Sequence, residues 1–208
     1  MRCLSRWTSR WSSRWSSLSF LLPFALVGLL QGCSSLQPVP TSALRHYHEV
    51  IAIKGRFSVS YEHEGRPQSA QGRFQWAQRG AYVDIDLLSP LGQTLAKISL
   101  SPGLAKMEQA GREPRFATDA AELTAQMLGW AMPVDGLRDW LQGYSRRAGV
   151  QQVAAPGGPD RFDGDGWQVR YVSWQTGAAE SYPKRIDLSR AGGDPLALRI
   201  VIDGWEPR

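Results

Sequence analysis

The stretch that decides the fold is IAIKGRFSVSY at residues 51–61. Apolar residues or glycine occupy positions 51, 53, 55, 57, 59 and 61, whereas Lys54, Arg56, Ser58 and Ser60 occupy positions between them. Successive side chains of a β-strand point to opposite faces, so this period of two predicts a strand with one buried and one solvated face.

The same alternation recurs in the following segments, and turn sequences separate them. The predicted strands cover residues 70–76, 83–87, 94–100 and 104–109, and the turns lie at 64–65, 79–80, 89–92 and 102–103. Short strands joined by tight turns pair antiparallel, and they can bury one face while the other faces water. The sequence therefore predicts an antiparallel meander with one apolar face.

The period changes to that of helices after residue 117. Asp119 precedes apolar residues at helical spacing, and Glu122 stands where a capping box requires it. A second helix is predicted after Pro133, with Leu137, Trp140, Leu141 and Tyr144 on one stripe. Strands resume near residue 151 and at 167–171, 184–188 and 196–202. We expect a mainly β fold with some α: a curved sheet or partial barrel, with helices on its concave side and an interior that is either filled or open to a ligand.

The N-terminus resembles a bacterial lipoprotein signal. Four arginines and no acidic residue lie in residues 1–17, an apolar run follows at 18–30, and the sequence LQGC at 30–33 resembles a lipobox. The run is shorter than the roughly 20 residues of a membrane-spanning helix. We therefore predict a signal peptide at 1–32, a lipidated Cys33 that begins a tether at 33–48, and a single domain at 49–208. Ser34 favours the outer membrane, because an aspartate there often retains lipoproteins at the inner membrane.

Removing the signal peptide also removes most of the positive charge. The chain has a net charge of +5, but only 20 Lys and Arg against 19 Asp and Glu remain after residue 32. This balance argues against nucleic-acid binding by the domain. The Arg-Trp repeat at residues 6–15 could be a basic aromatic motif, but a long signal n-region is the favoured interpretation. Cys33 is the one cysteine left, so the mature chain has no internal disulfide.

No motif for catalysis is present, and three polar sets were weighed as sites. His46, His48 and His63 lack the number and spacing of metal ligands, so solvated polar residues are the favoured interpretation. The stretch DGDG at 163–166 lacks the later glutamate of a calcium loop and fits a hairpin turn better. Asp84 and Asp86 fall on the polar face of their strand. We expect that the protein binds neither a metal nor a cofactor and that it is not an enzyme.

Aromatic residues and one leucine remain to be explained. Six tryptophans follow Cys33, and they belong either to an ordinary core or to a hydrophobic ligand cavity: Trp76, Trp130, Trp140, Trp167, Trp174 and Trp205. Leu91 lies in a turn between two strands, where polar residues or glycine are usual. From the pattern alone, its side chain either folds back onto the core or is exposed to contact an apolar partner.

Ordered motifs along nearly the whole domain resemble the outer-membrane lipoprotein receptor family LolB. They are GRF at 55–57, GRFQW at 72–76, LSPLGQT at 88–94, LGW at 128–130, GLRDWLQG at 136–143, GWQVRY at 166–171 and the segment 198–205. The resemblance implies a half-open antiparallel β-barrel with helices as a lid over a hydrophobic cavity. It also implies that Leu91 is the exposed loop leucine that delivers cargo into the membrane.

The resemblance further implies partners and a location. A monomer anchored through Cys33 and facing the periplasm would accept lipoproteins from the periplasmic carrier LolA. It would insert them among the phospholipids of the inner leaflet of the outer membrane, without a nucleotide. The residues expected to contact acyl chains are Trp76, Ile85, Leu87, Ile98, Trp140 and Trp167. The alternative is an envelope scaffold or assembly lipoprotein whose β core is filled and binds no acyl chain.

Overall fold

A computed structural model describes residues 46–207 except 64, 148–149, 157, 159, 165, 177–179 and 191–194. The predicted signal peptide, Cys33 and the predicted tether up to residue 45 lie outside the described residues. Twelve strands and two helices are described. In chain order they are β1 (Val50–His63), β2 (Arg66–Arg79), β3 (Tyr82–Leu88), β4 (Thr94–Ser101), β5 (Leu104–Glu108), β6 (Arg115–Ala117), α1 (Ala120–Leu128), α2 (Val134–Trp140), β7 (Tyr144–Arg147), β8 (Val150–Val153), β9 (Arg161–Gly164), β10 (Trp167–Thr176), β11 (Ser181–Arg190) and β12 (Leu196–Pro207).

Ten of these strands form one antiparallel sheet. Their order is β6-β5-β4-β3-β2-β1-β12-β11-β10-β9, and β7 pairs with β8 in a separate hairpin. The chain thus runs as a meander from β1 to one edge at β6, and returns from the other edge at β9 to pair β12 with β1. The two edge strands do not pair with each other, so the sheet is open. The predicted mainly β fold with a curved antiparallel sheet is confirmed at this level.

The alternation of apolar and polar residues along the strands agrees with their burial, as β2 shows. In β2, Gly72, Phe74, Trp76 and Gln78 are buried, while the residues between them are exposed. Gly72 is required by a close approach, because a Cβ atom there would lie 2.5 Å from the carbonyl oxygen of Leu88. The buried face of the sheet is therefore the one that the sequence pattern indicates.

The two helices pack into the same core as the buried face of the sheet. Asp119 caps α1 by accepting a hydrogen bond from the Glu122 backbone N–H at 2.7 Å, as predicted. The Glu122 carboxylate accepts a hydrogen bond from the backbone N–H of Thr118 at 3.0 Å. In a capping box the donor would be the backbone N–H of the next residue, the cap Asp119. Leu123, Val134, Leu137 and Trp140 form the apolar side of the helices and belong to the core. Neither helix is long and apolar enough to cross a membrane.

The prediction for the end of the second helix is wrong. Tyr144 was placed on the helical stripe, but α2 ends at Trp140 and Tyr144 begins β7. Gly143 adopts φ +77°, a left-handed conformation that ends the helix and that side chains rarely accept. Strands β6 and β9 were not predicted, because each has fewer than five residues and shows too little alternation.

A cluster of arginines around one carboxylate lies on the solvated face of the sheet. Asp187 accepts hydrogen bonds from Arg185 at 2.7 and 3.0 Å, and also from Arg170 and Arg199 at 3.2 Å. The hydrogen bonds from the Arg185 guanidinium hold the pKa of the Asp187 carboxyl below its ordinary value. This cluster joins β10, β11 and β12 across the outer face.

The lowered pKa of Asp187 predicts a pH-dependent contribution to stability. Because the pKa is lower in the folded state, the contribution is present above the unfolded pKa of about 4 and is lost as the pH falls through the folded pKa. We expect Asp187→Asn to lower the free energy of unfolding by ~1 kcal/mol at pH 7. Urea titrations at several pH values should show this difference narrowing below about pH 4. The control Asp163→Asn, at an exposed position of β9, should stay within ~0.5 kcal/mol of the parent; a difference for Asp187→Asn that is independent of pH would contradict the prediction.

Candidate functional site

An apolar pocket lies between the inner face of the sheet and the chain around α2. Its volume is about 190 Å³. Side chains from β1, β2, β3 and β12 form its floor, and residues of α2 and of the chain before and after it form its roof. The lining residues are Phe57, Val59, Tyr61, Ala70, Phe74, Trp76, Ile85, Leu87, Trp130, Met132, Leu137, Leu141, Leu198 and Ile200.

The apolar character of the pocket follows from the strand register. Phe74 of β2 lies opposite Leu87 of β3, and Trp76 lies opposite Ile85, so inward-pointing residues of neighbouring strands meet side by side. The few polar atoms include the Trp76 indole N–H, which donates to the Gln78 side-chain carbonyl at 3.4 Å. A pocket of this kind attracts apolar groups, because burying them removes hydrocarbon surface from water.

Three of the six residues expected to contact acyl chains line this pocket, namely Trp76, Ile85 and Leu87. The structure does not bring the other three to it. Ile98 lies further along the sheet on β4 and is buried in the core. Trp140 is fully buried, with Gly136 against its ring and its carbonyl accepting from the Tyr171 hydroxyl at 3.1 Å.

Trp167 borders a second, separate pocket beside the connection between the helices. This pocket has a volume of about 420 Å³ and includes polar residues such as Asp135 and Arg190. The Arg190 guanidinium lies 5.6 Å from the centre of the Trp167 ring. The strand alternation correctly predicts that Ile98 and Trp167 point inward, and the helical stripe does so for Trp140, but neither pattern tells how near each residue lies to an open space.

The connection between α1 and α2 contributes residues that the sequence analysis did not assign to the site. Trp130 and Met132 both line the apolar pocket. The buried Thr124 hydroxyl of α1 fixes this connection, since it accepts from the Met132 backbone N–H at 2.7 Å and donates to the Ala120 carbonyl at 2.8 Å. The sequence pattern gives Met132 no role, and it marks Trp130 only as one of six tryptophans and as part of the motif LGW at 128–130.

The C-terminal end of α2 is held by His48, just before β1, and by the turn between β2 and β3. The Gln142 side chain accepts from the His48 backbone N–H at 2.8 Å and donates to the His48 carbonyl at 3.1 Å. Arg138 donates to the Gly80 carbonyl at 2.6 Å. Gln78 donates to the Tyr47 hydroxyl at 3.0 Å, and burial raises the pKa of that hydroxyl. Tyr47 and His48, which the sequence analysis assigned to the tether, thus contact the folded domain.

Leu91 stands at the tip of the loop between β3 and β4, residues 89–93, which we call the Leu91 loop. The Gly92 backbone N–H donates to the Ser89 carbonyl at 2.9 Å, and the Ser89 backbone N–H donates to the Gln93 carbonyl at 2.8 Å. Gly92 adopts φ +90°, a conformation open to glycine. The Leu91 side chain is 91% exposed. Of the two alternatives left open by the pattern, the structure has the exposed one.

Two of the polar residues weighed as sites, His48 and Asp84, have ordinary partners. His48 lies 2.6 Å from the carboxylate of Glu180, and Asp84 pairs with Arg79 at 3.1 Å on the solvated face. The stretch after Asp163 joins β9 to β10 as a hairpin, with residue 165 outside the described part. Among all residues that the structure describes, no group of three or more histidine, cysteine or acidic residues could hold a metal ion.

The chain is similar to a known protein family and to individual proteins of that family. Residues 49–205 match the family described as outer membrane lipoprotein LolB. A relative named outer-membrane lipoprotein LolB from Cupriavidus necator is 40% identical over 182 residues, which cover 86% of this chain and 92% of that protein. A protein of the same name from Cupriavidus pinatubonensis is also 40% identical, over 86% of this chain and 90% of its own.

Among solved structures, the LolA superfamily protein from Nitrosomonas europaea is similar over 79% of this chain and 88% of that chain. Its TM-score is 0.45 and its sequence identity is 10%. The family match spans the whole sheet up to Trp205 in β12. The match covers nearly the full length of these two relatives, so it is not confined to one motif. The chain therefore belongs to the LolB family of outer-membrane lipoproteins.

Proposed function

We propose that this outer-membrane lipoprotein receptor holds the acyl chains of its cargo in the apolar pocket, beneath a lid formed by residues 130–141. In this proposal the cargo comes from the periplasmic carrier LolA and leaves past the Leu91 loop into the inner leaflet of the outer membrane. Cys33 would carry the lipid that anchors the receptor, with the domain facing the periplasm. Trafficking of this kind requires binding and release but no catalytic residue.

The observation that carries the proposal is the apolar pocket itself. All fourteen lining side chains are aliphatic, aromatic or methionine, and they come from strands on both sides of β1 as well as from the lid. Each methylene buried there contributes about 0.8 kcal/mol. An acyl chain that enters the pocket is therefore buried among hydrocarbon, and we expect its transfer to need no external source of energy.

The size of the pocket indicates that the lid moves. Its volume of about 190 Å³ is below the roughly 300–1,000 Å³ of cavities that enclose drug-sized ligands. The C-terminal end of the lid is tied to the turn between β2 and β3 by the hydrogen bond from Arg138 to Gly80, and the next residue after the lid, Gln142, is bonded to His48 before β1. We expect the lid to shift outward between its held ends when cargo enters, while Trp130 keeps its contacts with the neighbouring rings.

The position of the Leu91 loop relative to the pocket supports the delivery step. Leu88, at the end of β3, pairs with Arg73, and the pocket residues Tyr61 and Ala70 lie beyond that level toward the hairpin between β1 and β2. The Leu91 loop therefore leaves the sheet at the same end as these pocket residues. Leu87 of the pocket lies four residues before Leu91, which offers a short apolar path from the pocket to the loop.

The proposal is tested with the domain lacking the lipid on Cys33. A hydrophobic fluorophore should bind to this protein and be displaced by palmitate, and the protein should accept a lipoprotein from the carrier in solution. Binding is expected because the pocket belongs to the domain and not to the anchor. A stably folded domain that binds neither the fluorophore nor the lipoprotein would reject the proposal and favour the scaffold alternative with a filled core.

A further inference from the structure

Three side chains that line the apolar pocket carry a polar hydrogen, and one of them is buried and unused. The Trp76 indole N–H donates to Gln78, and Tyr61 is only half-buried. Trp130 is 7% exposed, and its indole N–H has no hydrogen-bond partner among the described residues. Buried polar groups in folded proteins are nearly always paired, so this one requires an explanation.

The surroundings of Trp130 restrict its movement. The Tyr61 ring centre lies 6.2 Å from the Trp130 ring centre, and the Trp167 ring centre lies 6.5 Å from it, with the planes inclined by 49° and 56°. Large rings on both neighbours hold the indole in place. The indole is thus held in place before any ligand arrives, and it belongs to a pocket whose other lining side chains are apolar.

We propose that the Trp130 indole N–H donates a hydrogen bond to the carbonyl oxygen through which an acyl chain is joined to its carrier molecule, either an ester or an amide. This inference rests on the proposed function and adds a specific polar contact to it. A smooth apolar wall binds a hydrocarbon chain equally well at many depths. One fixed donor would favour the depth at which the acyl carbonyl meets Trp130, and so determine how far the chain enters.

The choice of a carbonyl follows from the chemistry of the donor. An indole N–H donates and does not accept, and it carries no charge, so it suits a neutral acceptor. Ester and amide carbonyls are neutral acceptors found at the head of each acyl chain. A buried hydrogen bond is stronger where the surroundings exclude water, which the apolar lining does here.

The experiment compares three ligands that each have eleven carbon atoms, two with an ester or amide group and one without. Methyl decanoate, N-methyldecanamide and undecane would each displace a hydrophobic fluorophore from the domain lacking the lipid on Cys33. We expect the ester or the amide to bind about fivefold more tightly than undecane, which corresponds to ~1 kcal/mol. The variant Trp130→Phe keeps an aromatic ring but lacks the N–H, so the carbonyl would be buried without a donor and the fivefold preference for the ester or amide should be lost.

Trp76→Phe is the matched control. It removes an indole N–H from the same pocket, but one that already donates to Gln78. Both ligand types should therefore bind Trp76→Phe more weakly, while the preference for the carbonyl stays near fivefold. The indole resonance of Trp130 in the nitrogen-15 spectrum of the parent protein gives a second measurement. It should move downfield with methyl decanoate and remain in place with undecane.

The outcomes separate the inference from the function on which it rests. Equal affinity of the parent protein for ester, amide and alkane, with no shift of the Trp130 resonance, would overturn recognition of the carbonyl while leaving hydrophobic binding intact. Failure of all three ligands to bind would instead overturn the proposed function. If Trp130→Phe does not fold, as thermal unfolding would show, the parent protein's preference and resonance shift still decide.

Discussion

Replacing Leu91 by glutamate should abolish the deposition of cargo into liposomes while leaving its acceptance from the carrier intact. The side chain is 91% exposed and contributes little to folding. Inserting a leucine into hydrocarbon gains about 2 kcal/mol, and a buried carboxylate costs about 2–3 kcal/mol. Together these terms, about 4–5 kcal/mol, slow a step that requires insertion by about 1,000-fold or more.

The measurement follows a labelled lipoprotein from the carrier to the receptor and then to sedimenting liposomes. Leu104→Glu is the matched control, because Leu104 is another exposed leucine, 47% exposed, that follows the turn after β4 at the opposite end of the sheet. This control should deposit cargo at the parent rate. Normal deposition by Leu91→Glu would show that the loop does not enter the membrane.

Filling the pocket with a larger side chain should abolish acceptance itself. Ala70 lines the pocket but remains exposed at its rim, so Ala70→Trp places an indole there without displacing the buried core. Because the pocket has a volume of only about 190 Å³, the added ring would occupy much of the space available to a ligand. We expect the fluorophore affinity to fall at least ~10-fold, a loss of ~1.4 kcal/mol or more, and transfer from the carrier to fall with it.

The control for this variant lies on the same strand and the opposite face. Ala77 is an exposed residue of β2 next to the buried Trp76, so Ala77→Trp adds the same ring outside the pocket. It should bind the fluorophore and accept cargo as the parent protein does. Unchanged binding by Ala70→Trp would mean that acyl chains enter at another place, and the second pocket beside Trp167 would then be the next to test.

Much of the fold could be predicted from the sequence because it depends on local rules. The alternation from Ile51 to Tyr61 indicates which face of β1 is buried, and Asp119 marks the start of α1. The same rules failed where one residue overrides a pattern. Tyr144 continues the apolar stripe of α2, but the left-handed conformation of Gly143 ends the helix before it.

The candidate site could be predicted only in part. Trp76, Ile85 and Leu87 were expected in the cavity and do line the pocket, whereas Ile98 and Trp140 point inward with equal regularity and lie in a filled core. Trp130 was counted among the tryptophans but received no role. Its position depends on the hydrogen bond between Thr124 and Met132, which joins residues eight positions apart and leaves no periodic signal.

The buried faces, the unusual leucine in the turn at Leu91 and the family could be identified from the sequence alone, which also predicts a lipobox at Cys33. These features depend on the period of the backbone or on short motifs, and neither requires knowledge of distant contacts. The tertiary structure alone decided that Leu91 is exposed, where the sheet and the lid leave a space, and that the Trp130 N–H is buried without a partner. The reason is physical: the period tells which way a side chain points, but the distance to whatever lies opposite depends on how the strands and helices pack together.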